Sequence, residues 1–234
     1  MQYNNIKKAK FLSRPNRFLA HIEIEGKKEL CHVKNTGRCK ELLTPHATVY
    51  VQEIHGEGRK TKYDLISVYK GGRLVNIDSQ VVNQVFHEWI LGSGLIPNIE
   101  FIKPEHRYKG SRFDFYIETV TDKILVEVKG VTLEEKGVAL FPDAPTARGV
   151  KHLAQLISSL DEGYRAYVVF IIQMKDVFYF APNTKTHQAF ADTLRTAHDL
   201  GVQIIALDCQ VTKNSITAGD FIEVRLDGLQ NPKT

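Results

Sequence analysis

Polar and apolar residues alternate in short stretches over the first third of the chain. Phe18-Leu19-Ala20-His21-Ile22-Glu23-Ile24 approaches strand alternation and stops at Glu25-Gly26, a turn signal. Further short runs follow at 30–33, at hairpin distance, and at 48–51 and 64–69, with Gly56, Gly58, Gly71 and Gly72 between them. Several short strands with little helical signal predict a small closed barrel of the OB type.

The period changes near residue 80. Val82, Val85, Phe86 and Trp89 recur at helical spacing, predicting an amphipathic helix over 79–92 ended by Gly92-Ser93-Gly94. Strand-like runs come next at 112–118 and 124–128, then a helix over 147–160. A very apolar strand at 167–172, a helix over 186–200 and a strand at 202–207 complete the pattern. That order predicts a three-layer domain. The chain is thus of the α/β (α+β) class, with a barrel at 1–80 and a layered domain at 81–234. It shows no repeat, low-complexity tract or flexible linker.

Composition narrows the class. Of 234 residues, 43% are hydrophobic and 25% charged, ordinary for a soluble globular protein. No apolar run approaches the roughly 18–20 residues of a membrane span. Residues 1–10 are polar and basic without an apolar h-region, so no secretory signal is expected. Cys31, Cys39 and Cys209 are too few and too scattered for a disulfide framework or a zinc knuckle. Reduced thiols in a cytoplasmic protein are the expectation.

The net charge of +4 is uninformative until it is divided. Residues 1–80 hold 15 Lys+Arg against 8 Asp+Glu, and 81–234 hold 16 against 19. A basic third beside a mildly acidic remainder points to a polyanion-binding module, although solvated faces give the same balance. Arg14, Arg17, Lys34, Asn35 and Arg38 put cations and amides in loop-like segments beside strands, where barrel modules track a nucleic-acid backbone. Phe11, Phe18 and Tyr50 are candidates to stack on bases, or else core rings. Asn35-Thr36-Gly37 also reads as a plain turn.

The candidate chemistry lies in the second domain. In Arg112-Phe113-Asp114-Phe115-Tyr116-Ile117, strand alternation puts Phe113, Phe115 and Ile117 on one face and Asp114 and Tyr116 on the other. Thirteen residues after Asp114, Glu127 and Lys129 share a face by the same rule. On adjacent strands the three would converge, and two carboxylates with a backbone carbonyl, here Val128, and water suit Mg2+ or Mn2+. Such an ion acidifies a bound water and neutralises phosphodiester charge, while Lys129 orients the water. On spacing alone the pattern is weak, since strand-edge carboxylates beside a solvated lysine produce it by chance. Thr146 is the expected N-cap of the 147–160 helix. Arg148, His152 and Gln155 form a polar stripe on that helix, aimed at the metal site or at a phosphate, or simply solvated. Glu88, on the first helix, is a candidate third carboxylate or an exposed helical glutamate.

Several blocks resemble the sugar fermentation stimulation protein A family. They are residues 32–42, Asn76-Ile77-Asp78, Ser111-Arg112-Phe113-Asp114-Phe115, Val126 through Leu133, and Phe141 through Gly149 with Lys151-His152-Leu153. The likeness runs from about Arg14 to Leu207. It implies an OB-like barrel joined to a PD-(D/E)xK nuclease-like domain. That superfamily's acidic and basic positions fall on Asp114, Glu127 and Lys129, with Glu88 matching the acid of the first helix. The proline of the superfamily's name is replaced by Phe113. The family is similar to DNA-binding proteins implicated in regulating sugar metabolism.

Three readings follow. The chain is a Mg2+- or Mn2+-dependent nuclease, a catalytically silent DNA-binding regulator on a nuclease scaffold, or an RNA-processing factor, and fold alone does not separate them.

Overall fold

The computed structural model describes residues 1–35, 37–56 and 58–227, so Thr36 of the expected turn lies outside them. Six strands open the chain: β1 (Ile6–Asn16), β2 (Leu19–Ile24), β3 (Lys27–Val33), β4 (Thr48–Glu53), β5 (Tyr63–Lys70) and β6 (Arg73–Asn76). They pair in the order β3-β2-β1-β4-β5-β6, and a parallel β3–β5 contact closes the first five into a barrel. Closure removes the exposed edges. Ala9, Phe11, Ile22, Cys31, Val49, Leu65 and Val68 fill its interior. β1 carries no apolar run, because exposed Lys8 and Lys10 alternate with inward-pointing Ala9 and Phe11.

Then come α1 (Val82–Ser93), β7 (Ile99–Tyr108), β8 (Ser111–Thr119), β9 (Lys123–Val131), β10 (Leu133–Glu135) and β11 (Val138–Phe141). The chain continues through α2 (Ala147–Leu160), β12 (Tyr164–Ile172), β13 (Tyr179–Pro182), α3 (Thr184–Asp199), β14 (Gln203–Thr212) and β15 (Ser215–Ile222). Six of these strands form one mixed sheet, β15-β14-β12-β9-β8-β7, parallel only across β9, β12 and β14. The remaining β10, β11 and β13 make a small satellite sheet.

Three layers result. Val82, Val85, Phe86 and Ile90 of α1 pack on Phe115, Val126, Val128 and Val169 from one face. Leu153 and Leu156 of α2 with Phe190 and Leu194 of α3 cover the other, over Phe113, Leu125, Val168 and Phe170. β12 is therefore covered on both faces, which is why it reads as an unbroken apolar run. Gly94, at φ 69°, terminates α1 in the left-handed conformation that a β-carbon disfavours. Thr146 caps α2 by accepting the Gly149 amide.

Buried polar groups join the domains. Gln173 Nε2 donates to Asn76 Oδ1 at 3.0 Å and to the Asp78 carbonyl at 2.9 Å, and the Gln173 carbonyl accepts the Asn76 amide at 2.9 Å. Asn76 Nδ2 in turn donates to Tyr3 Oη at 3.0 Å. The first residues pack away from the barrel: the Tyr3 amide donates to the Asn214 carbonyl and the Met1 ammonium to that of Ile216. Such a network holds its shape only while every member is satisfied.

Candidate metal centre

β8 and β9 pair antiparallel from Glu118–Lys123 up to Phe115–Val126. There the ladder stops and a side chain takes over. Asp114 Oδ2 accepts the Val128 amide at 2.8 Å, and Oδ1 accepts Asn83 Nδ2, from the first turn of α1, at 2.8 Å. The expected alternation breaks at the same point. Phe115 and Ile117 lie under α1, but Phe113 lies under α2, its ring 5.7 Å from that of His152. Opposite this break β7 carries Glu105 at φ 53°, in the left-handed region, while the β7–β8 register is the same on either side of it. Asp114 is thus set at a kink between layers.

Glu127 is 3% exposed. Its Oε1 accepts from Lys129 Nζ and lies 2.5 Å from His152 Nδ1. Arg148 Nε donates to His152 Nε2 at 3.4 Å, which assigns the ring proton to Nδ1 and makes His152 the donor to Glu127. Glu127 Oε2, equally buried, has no hydrogen-bond partner among the described residues.

The two acids are pushed apart. Burial, and after it the charge of Glu127, raises Asp114 above the usual aspartate range against its two hydrogen bonds. Burial also works to raise Glu127, but the His152 hydrogen bond and the Lys129 charge outweigh it and hold the carboxyl below the usual range. The charge of one carboxylate disfavours ionisation of the other, and a cation bound beside both would relieve that cost. Backbone packing around them is close. A β-carbon on Gly130 would stand 2.7 Å from Gln173 Oε1 and 2.9 Å from Val82 Cγ1, so the junction and α1 both press on β9 just past Lys129.

Asp114, Glu127 and Lys129 are brought together, and Val128 joins them through its amide. Glu88 is not. Its side chain is 45% exposed and ion-paired at 2.5 Å with the Met1 ammonium, which keeps its pKa below the usual glutamate range. It lies five residues beyond Asn83 and so faces away from Asp114. Asn83 stands where the first-helix acid was expected, and its neutral amide gave no signal in the sequence. Among the described residues no three His, Cys, Asp or Glu side chains gather as a metal site, and the acids brought together here are Asp114 and Glu127.

The nucleic-acid set also divides. Arg14 is spent on four carbonyls, those of Arg17, Asn35, Gly37 and Arg38, at 2.6–2.9 Å, and therefore folds the loop instead of offering charge. Asn35 is buried, its Oδ1 accepting the Gly37 amide. Lys34 sits between Asp64 and Asp78, at 3.2 and 3.3 Å. Arg17 and Arg38 remain exposed, Arg17 over the ring of exposed Phe18 and Arg38 with its amide on Asp143. Phe11 is barrel core, and Tyr50 pairs with Tyr69 at 6.2 Å. On α2, Arg148 is exposed, His152 is buried against Glu127, and Gln155 Nε2 is tied to the Lys109 carbonyl at 3.1 Å. The helical stripe was legible, but its burial depends on how α2 docks.

Fold and site together define a two-domain chain, an OB-like closed barrel followed by a layered domain with an acid–acid–lysine cluster at the strand kink. Residues 12–77 match the family model described as the SfsA N-terminal OB domain, and residues 80–215 the one described as the sugar fermentation stimulation protein RE domain. The chain belongs to the sugar fermentation stimulation protein family. It is 63% identical to a homolog of that name from Desulfitobacterium hafniense over 97% of this chain and 99% of the relative. A homolog from Clostridium beijerinckii is 58% identical over 97% and 100%. Among solved structures, Pyrococcus furiosus SfsA, described in complex with Ca2+, superposes with a TM-score of 0.87 at 31% identity, over 96% of this chain and 98% of that one. Among the described residues no helix is long and apolar enough to cross a membrane.

Proposed function

We propose that this chain binds nucleic acid and cuts phosphodiesters with the help of a divalent ion held by Asp114 and Glu127, in the manner of the PD-(D/E)xK nucleases. The observation that carries the reading is the orphaned Glu127 Oε2, a buried carboxylate oxygen with no donor among the described residues, beside an aspartate whose charge is discouraged. An unpaired buried acceptor is costly, and a hard cation with oxygen ligands satisfies it. The Ca2+ of the Pyrococcus furiosus relative supports an oxygen-ligated divalent ion, for which Mg2+ or Mn2+ fits here.

Bound there, the ion supplies an acidified water and neutralises phosphate charge. The residues do the rest. Asn83 and the Val128 amide lock the Asp114 rotamer, and His152 holds Glu127 through Oε1, which leaves Oε2 for the ion. Lys129, on the same face of β9, places an ammonium where a water proton and developing negative charge need it. Arg17 and Arg38 on the barrel offer exposed cations to the strand's backbone. The three free, buried cysteines fit a cytoplasmic setting. DNA is the substrate we favour, and a role in sugar metabolism would follow from acting on it.

The test is incubation of the full chain with Mn2+ and labelled single-stranded, duplex and branched DNA, with RNA in parallel. Cleavage that disappears in Lys129→Ala is the expected result. No cleavage of any substrate would leave a metal-stabilised binding scaffold instead.

A further inference from the structure

The mildly acidic second domain carries a local exception to its own charge balance. Where α2 starts beside the β7–β8 turn, a groove of about 400 Å³ is lined by Ser111, Arg112, Arg148, Lys151 and His152. Its three cations come from two elements: Arg112 from the start of β8, and Arg148 and Lys151 from adjacent positions on α2. All three are exposed. Arg112 has one ion pair, at 3.1 Å with Glu105, itself solvent-exposed and therefore weak. Arg148 uses only its Nε, on His152, and Lys151 makes no ion pair among the described residues. A second groove, of about 440 Å³, continues around the hairpin past Arg107 and Lys109.

The position of this groove matters as much as its charge. His152 is part of its lining, and the other ring nitrogen of His152 donates to Glu127. Two hydrogen bonds thus lead from the Arg148 guanidinium to the carboxylate proposed to hold the ion. The N-terminal end of the 14-residue helix α2, with its fixed partial positive charge, opens on the same groove at Ala147. On the barrel, by contrast, Arg14 and Lys34 have spent their charge internally.

We propose that this groove seats the backbone of the nucleic-acid strand being cut, with Arg112, Arg148 and Lys151 gripping a phosphodiester next to the one that reaches Asp114 and Glu127. The cutting rests on the function proposed above, but the grip does not. Substrate affinity then originates largely in the second domain, against what the charge split of the chain suggests.

The experiment uses the full chain in EDTA and a fluorescein-labelled single-stranded 12-mer, with anisotropy titrations at several salt concentrations. Arg112→Gln and Lys151→Gln should each weaken binding about 5- to 10-fold at low salt and lower the salt slope by about one. The double variant should lose roughly 30-fold or more, Lys151→Arg should restore most of the affinity, and Lys27→Gln on the barrel should stay within about twofold of wild type. Mn2+-induced thermal stabilisation, followed in parallel, should persist in the double variant. A double variant that folds and binds within twofold of wild type overturns the proposal, as does a wild type that binds no oligonucleotide. If the wild type shows no Mn2+ stabilisation while its affinity still depends on Lys151, the metal reading fails and the groove stands.

Discussion

Glu127 meets His152 across the interface between the sheet and α2, Oε1 to Nδ1 at 2.5 Å, and this one contact spends half of a buried carboxylate while leaving the other half empty. A histidine that donates to a metal-binding group fixes its orientation and tunes its affinity. His152→Leu should therefore cost about 2 kcal/mol of metal-free stability, since Glu127 loses a donor in a dry site. It should also weaken Mn2+ binding roughly 10- to 100-fold. Urea denaturation and calorimetric titration measure the two effects, and a variant unchanged in both would remove His152 from the site.

Asp114 should be destabilising when no ion is bound. Its folded pKa is raised, so the cost is absent below the ordinary aspartate value of 3.8, where the carboxyl is protonated in both states. The cost builds up as pH rises from that value to the folded one and is complete above it. Asp114→Asn keeps an acceptor for the Val128 amide and lets Asn83 flip to accept from the new amide. In EDTA at neutral pH the variant should match or exceed wild type by roughly 1 kcal/mol, with the gain fading towards pH 3.8. It should also lose all Mn2+-induced thermal stabilisation.

Glu134 ties the barrel to the second domain through Lys70 at 2.7 Å and Arg73 at 3.1 Å. Burial acts to raise its pKa, but the Lys70 hydrogen bond, the Gly137 amide and the Arg73 charge prevail and hold it below the usual range. A depressed carboxyl contributes stability that is present above its unfolded value of 4.5 and lost as pH falls through the folded one. Glu134→Gln should cost about 3 kcal/mol at pH 7, because it strands two cations, and should flatten the acid limb of the stability profile. Equal loss at pH 7 and well below pH 4.5 would contradict this.

Arg14 and Arg17 lie three residues apart and should behave as opposites. Arg14→Ala removes the donor to four carbonyls and should cost at least about 2 kcal/mol of stability, with any effect on nucleic-acid affinity following from the disturbed loop. Exposed Arg17→Ala should leave the melting temperature within about 2 °C and reduce only affinity. Thermal melts of the two variants decide the matter.

Much of this was legible in the chain because burial imposes period. β2, β5, β9 and β12 announce themselves by alternation or by a continuous apolar run, and α1 and α2 by their stripes. β1 and β7 were not legible: lysines cover the outer face of one, and the other is an edge strand with Pro104 and many charges. Glu127 and Lys129 could be placed on one face from spacing alone. The break at Asp114 could not, since it comes from the end of a ladder that only the paired strands define. Glu88 was attractive as an acid on the right helix, but its direction depends on where Met1 packs, and that contact spans the whole chain. His152 and Gln155 read as parts of one polar stripe, aimed at the metal site, at a phosphate or at solvent, because a helical stripe does not reveal what covers it.

The most direct measurement of the central claim is anomalous diffraction from crystals of the full chain soaked in Mn2+. The account predicts one strong peak within coordination distance of an Asp114 oxygen and of Glu127 Oε2, absent in Asp114→Asn crystals soaked in the same way. No peak there at millimolar Mn2+, or a peak that survives in Asp114→Asn, would contradict it.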